Sequence, residues 1–138
     1  MKIDTKDAIK QIRKLAAENP DHTSACNYVN EETNKPECLI GHYLINVAGI
    51  PPETFTDPTK RQIVDKDGAT TRTTSFNDYG LGDLITEGIV EATNDKGLRW
   101  IREVQEIQDQ GWSWGEAVKS ADQIQCRRDS RAGRYGTT

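Results

Sequence analysis

Apolar residues recur at helical spacing towards both ends of this chain and lose that rhythm in the middle. Near the start, Ala8, Ile9, Ile12, Leu15 and Ala16 fall at i, i+3/i+4 and i+7, the stripe that an amphipathic helix buries. The spacing predicts a helix over Thr5–Asn19, opened by Asp4 or Thr5 as cap and stopped by Asn19-Pro20. Lys6, Lys10, Arg13 and Lys14 occupy the other side and read as a solvated basic face. Leu84, Ile85, Ile89 and Ala92 predict a helix over Gly82–Ala92. Leu98, Ile101, Val104, Ile107 and Gln108 predict another over Asp95–Gln110, ended by Gly111. Ser113-Trp114-Gly115-Glu116 then matches a capping box, in which the serine and the glutamate satisfy each other's free backbone donors. Trp112 is placed to lean on Ala117 as a staple. Ala117, Val118 and Ala121 mark one side of the helix that follows.

Between these ends the signals are shorter. Residues 21–35 are polar, apart from Cys26-Asn27-Tyr28-Val29, whose alternation predicts a short strand. Pro36 suits a helix N1 position, which predicts a helix over Pro36–Val47 closed by Gly49 and barred from continuing by Pro51-Pro52. Asp67-Gly68 separates Gln62-Ile63-Val64 from the threonine run Thr70–Thr74, a hairpin signal against which an exposed loop competes. The expected fold class is therefore mainly α (α+β), with about five helices packed around one core and a short two-stranded β element.

Length and charge refine this picture. The chain has 138 residues, 34% of them hydrophobic, and a net charge of −4. Mean hydropathy is −0.78. A chain of this size can bury a core without staples, and its charge is too low for wholesale disorder. Residues 126–138 differ in composition: Arg127, Arg128, Arg131 and Arg134 against Asp129 sum to +3, so the remainder carries −7. The expected organisation is one globular domain over residues 1–125, followed by a basic, flexible tail over 126–138. No apolar run approaches the ~20 residues that span a bilayer, so no membrane is expected. Met1-Lys2-Ile3-Asp4 leads straight into a polar helical pattern, without the apolar stretch of a signal peptide. Three cysteines are poor material for a disulfide scaffold, and the expected compartment is the cytoplasm.

Candidate chemistry concentrates in one short stretch. His22, Cys26, Cys38 and His42 hold both histidines and two of the three cysteines, and zinc takes four such ligands. Cys38 and His42 are four apart on a predicted helix and so share a face. The H-x3-C hook is not a usual zinc knuckle, so the competing reading makes Cys26 and Cys38 buried packing groups. A nucleophilic reading gives Cys38 a helix N-terminus and His42 as its base, with no third residue to orient the imidazole. A Cys26–Cys38 disulfide is the remaining alternative. Trp100, Trp112 and Trp114 suit core packing between the last two helices; the competing reading makes Trp112 and Trp114, which straddle a helix start, binding residues, although the two cannot easily face the same way. Arg127, Arg128 and Arg131 extend that binding set. The acidic body and the lack of a nucleic-acid motif argue against a nucleic-acid partner. Phosphate-loop, dinucleotide and H-E-x-x-H motifs are absent from the sequence.

The pattern Cys26-x-Tyr28, Pro36-x-Cys38-Leu39-Ile40-Gly41, Gln108-Asp109-x-Gly111 and Trp114-Gly115-x-Ala117 resembles small uncharacterised proteins of actinobacteria and their phages. The resemblance covers residues 24–50 and 100–121. It implies a structural cysteine pair rather than a four-ligand zinc site. It also implies a phage accessory protein that binds a host protein or signalling molecule. The long polar insert between Gly49 and Leu81 departs from that pattern. The expected function is thus binding, with no catalysis and no cofactor. A zinc-stabilised module on His22, Cys26, Cys38 and His42 and an enzyme with a Cys38 nucleophile are the alternatives.

Overall fold

The computed structural model describes residues 2–24, 27–56, 62–64, 66–68, 70–73, 76–77, 79–92 and 95–135. Strand β1 (Lys2–Ile3) leads into α1 (Thr5–Glu18), α2 (Leu39–Asn46) and the single turn α3 (Glu53–Thr56). A hairpin of β2 (Gln62–Val64) and β3 (Thr70–Thr73) follows, then α4 (Leu81–Thr86), β4 (Glu91–Ala92), α5 (Asp95–Asp109) and α6 (Trp114–Tyr135). The mainly helical α+β class is as the pattern predicts.

Helix α1 begins where its sequence says it should. The Asp4 carboxylate accepts from the Lys6 amide at 3.0 Å, satisfying one of the free donors of the first turn. Ala8, Ile12 and Ala16 turn inward and are buried. Trp100, Ile101 and Val104 of α5 and Trp114, Ala117 and Ala121 of α6 join the same core. Helix α5 packs against α6, and α1 packs against α2, α5 and α6. Gly97 permits the close meeting of α1 and α5, because a Cβ there would stand 2.9 Å from the Thr5 side chain.

Four boundaries differ from the sequence reading. Of the expected strand at 26–29, Cys26 lies outside the described residues, and Asn27–Val29 contribute one antiparallel bridge, Val29 to Pro36. Asn30 sets the turn between those residues, its side chain accepting from the Glu32 and Thr33 amides. Because Pro36 belongs to this bridge, it is not the first residue of a helix, and α2 starts later with Cys38 as its N-cap. The helix expected to reach Ala92 ends at Thr86: Gly88 takes φ +79°, and the Ile89 amide returns to the Leu84 carbonyl at 2.9 Å, which closes the helix. Glu91–Ala92 instead pair in parallel with Lys2–Ile3. Finally, α6 runs unbroken through residues 126–135, where the sequence suggested a separate tail.

Of the hairpin and the loop that compete around Asp67-Gly68, the hairpin forms, antiparallel, with Gln62 opposite Thr73. Ser113 caps α6, its hydroxyl accepting from the Glu116 amide at 3.3 Å. The start of α6 is seated on the loop after α1. The Trp114 amide donates to the His22 carbonyl at 2.8 Å, and the Gly115 amide donates to the Pro20 carbonyl at 3.0 Å.

Candidate functional site

The cysteine–histidine stretch is built around the first turn of α2. Cys38 is 1% exposed, and its sulfur accepts from the Gly41 amide at 3.2 Å. The Leu39 amide donates to Gln108 Oε1 at 3.0 Å, so two donors freed by the buried helix start find partners. Cys38 is a free thiol, which removes the disulfide alternative. Burial pushes that thiol up to about 12, against the opposing pull of its backbone donors. A nucleophilic cysteine needs the reverse, an exposed sulfur with a lowered pKa. Cys38 therefore serves α2 as a packed N-cap. Iodoacetamide at neutral pH should modify the exposed Cys126 and leave Cys38 unmodified until the chain unfolds. Peptide mapping checks this, and native-state labelling of Cys38 as fast as Cys126 would overturn it.

His22 and His42 do come together, but on an aromatic ring. Their imidazoles meet the Trp114 indole edge-on, with centroids at 4.5 and 5.3 Å. Burial, then the nearby His22, hold His42 below the usual imidazole range. Cys26 lies outside the described residues. Among the described residues no group of three or more His, Cys, Asp or Glu side chains is gathered to hold a metal ion.

Trp114 is 2% exposed, so it is a core residue and not a surface anchor. Its indole N–H donates to Ser24 Oγ at 3.1 Å, and Ser24 lies 3.2 Å from Gln108 Oε1. One turn earlier on α5, Gln105 plays the same part for a second helix. It accepts from the Leu81 amide at 2.9 Å and donates to the Tyr28 hydroxyl at 2.6 Å. Asn77 completes the buried polar set, bonding both the amide and the carbonyl of Val29 at 2.9 Å. Local spacing does not reveal these glutamine and asparagine roles, because their partners lie far away in sequence.

The surface members of the expected binding set scatter. Trp112 is 53% exposed and Arg127 is exposed. Arg128 pairs with Glu103 of α5. Arg131 lies on α6, and its side chain falls outside the described residues.

A concavity of about 650 Å³ lies elsewhere, between α1, α5 and α6. Ile9 and Trp100 contribute apolar surface to it, and Lys6, Lys96, Cys126 and Asp129 line its sides. Arg13 was expected on a solvated face. Instead it reaches α6 and binds Asp122 through both terminal nitrogens, at 2.8 and 2.6 Å. Its guanidinium also lies 4.7 Å from the centroid of the Trp100 ring, whose N–H donates to Asp122 at 2.9 Å. This fork-to-carboxylate pairing is geometrically specific, and it holds Asp122 below the usual carboxylate range. Lys96 meets Asp129 at 3.1 Å.

Comparison with known proteins finds no matching family model, no matching curated protein and no matching solved structure. A second, more polar cleft of about 420 Å³ lies between α4 and α5, lined by Asp83, Arg102, Glu106 and Asp109 among others. Burial pushes the Asp109 carboxyl up to about 6, opposed by a hydrogen bond from Gln108. Among the described residues, no helix is long and apolar enough to cross a membrane.

Proposed function

We propose that this chain is a small binding module that performs no chemistry of its own and takes its ligand in the α1–α5–α6 groove. The observation that carries the reading is the groove itself. Its volume of about 650 Å³ falls within the ~300–1,000 Å³ typical of small-molecule sites, which combine apolar walls with a few placed polar groups. The buried Cys38 thiol supports the non-catalytic part of the reading, since burial disfavours the thiolate. The resemblance to phage-type proteins suggests an accessory role against a host component. Of the two partner classes that role admits, a pocket of this size suits a small signalling molecule better than a protein surface.

Cys126→Tyr tests the site, because it places bulk at an exposed position lining the groove. The wild-type chain, incubated with a small-molecule extract of an actinobacterial culture, should retain ligands visible by native mass spectrometry. Cys126→Tyr, with unchanged circular dichroism, should lose them. Retention unaffected by Cys126→Tyr, or turnover of a retained molecule, would reject the proposal.

A further inference from the structure

The arrangement of charges in this groove points to a ligand class, and we infer that it selects a small amphipath with one negative charge, such as a medium-chain carboxylate. The inference rests on reading the groove as the ligand site and adds what occupies it.

The charges divide the groove into two unequal ends. At one end Arg13 and Asp122 satisfy each other through two hydrogen bonds, and Arg13 also covers Trp100. That end is electrically closed. At the other, Lys6 and Lys96 both line the groove with Asp129, and Asp129 pairs with Lys96. Lys6 has no ion pair among the described residues. The Lys96–Asp129 pair is itself loose, its side chains 65% and 53% exposed, and exposed pairs of this kind contribute little. An anion arriving here meets one uncommitted ammonium and a second that is weakly held.

Between the two ends the lining is uncharged. Ile9 stands between Lys6 and Arg13 along α1, and Cys126 between Asp122 and Asp129 along α6. Lys6 and Arg13 are two helical turns apart, roughly 10 Å along the axis at about 1.5 Å per residue. That is close to the reach of extended octanoate. The carboxylate would sit by Lys6 and Lys96, and the chain would run over Ile9 towards the closed end. A cationic head group would meet two ammoniums against the single Asp129 carboxylate at the open end, and at the closed end only Asp122, already bound by Arg13.

Calorimetric titration with octanoate, octanol and octyltrimethylammonium tests this on the full chain. Octanoate should bind with one-to-one stoichiometry and tighter than octanol, and the cation should not bind. Lys6→Glu reverses an exposed charge and should weaken octanoate by about tenfold, with octanol unchanged. Cys126→Tyr should abolish binding. Circular dichroism verifies that both variants stay folded. Equal affinity for octanol and octanoate, or octanoate affinity indifferent to Lys6→Glu, overturns the inference. If octanoate fails to bind while Cys126→Tyr still strips ligands taken from a culture extract, the ligand class is wrong and the groove stands. If Cys126→Tyr removes neither, both readings fall.

Discussion

Gly41→Ala should cost at least about 3 kcal/mol of stability, the upper part of the range for overpacking a core. The added Cβ would lie 2.2 Å from the Tyr28 carbonyl oxygen and 2.9 Å from the carbonyl carbon and Cα of the same residue. These are backbone atoms, so no flexible side chain can swing aside. Tyr28 cannot easily retreat either. Its amide donates to the Asn77 carbonyl, its carbonyl accepts from the Glu37 amide, and its hydroxyl is held between Gln105 and the Tyr79 carbonyl. Helix α2 is fixed from the other side by Gln108 and by the buried Leu39, Ile40 and Leu44. Native domains hold only about 5–15 kcal/mol in total, so a loss of this size moves a urea midpoint far. Gly80→Ala is the control: its Cβ would meet only Asp83 Oδ2, at 3.7 Å, and its midpoint should move little. A Gly41→Ala midpoint within error of Gly80→Ala would show that the two segments separate freely.

Gln108→Leu should cost about 3 kcal/mol, although leucine is of similar size and better suited to an apolar core. Gln108 is wholly buried and accepts from the Leu39 amide, with the Ser24 hydroxyl at 3.2 Å from the same oxygen. Leucine removes that acceptor. A buried donor left without a partner costs roughly 1–3 kcal/mol, and two are put at risk here. The damage should concentrate at the start of α2, so hydrogen exchange at the Leu39 amide should accelerate more than exchange within α1. A Gln108→Leu variant as stable as wild type, with Leu39 still protected, would mean that water substitutes readily at that position.

The sequence made the long helices legible because their information is local. Apolar spacing in 8–16 and 98–107 marks α1 and α5, Asp4 opens the first and Gly111 follows the second, and Ser113 opens α6. The Asp67-Gly68 hairpin is visible for the same reason. The two-residue ladder of Lys2–Ile3 with Glu91–Ala92 is too short to show a period, and its strands are separated by most of the chain. Ile89 continues the apolar rhythm of α4 past Gly88, so the spacing alone predicts a longer helix than the positive φ of Gly88 allows. The same limit governs the site. Cys38 and His42 invited a chemical reading through spacing alone, whereas the acceptor that defines their turn, Gln108, comes from α5. Arg13 looked like one more solvated cation, since its carboxylate partner lies 109 positions later. The expected tail contributed part of a helix instead, and with it Cys126 and Asp129 of the groove.

The parallel pairing of β1 with β4 also bears on how the chain is made. Translation delivers Lys2 and Ile3 well before their ladder partners, Glu91 and Ala92, which emerge only after α1 through α4 have left the ribosome. Bringing such distant segments together carries a loop-closure entropy cost that local helices avoid. Strand β1 therefore waits unpaired while α1 is free to form, and it is secured only once β4 has been made.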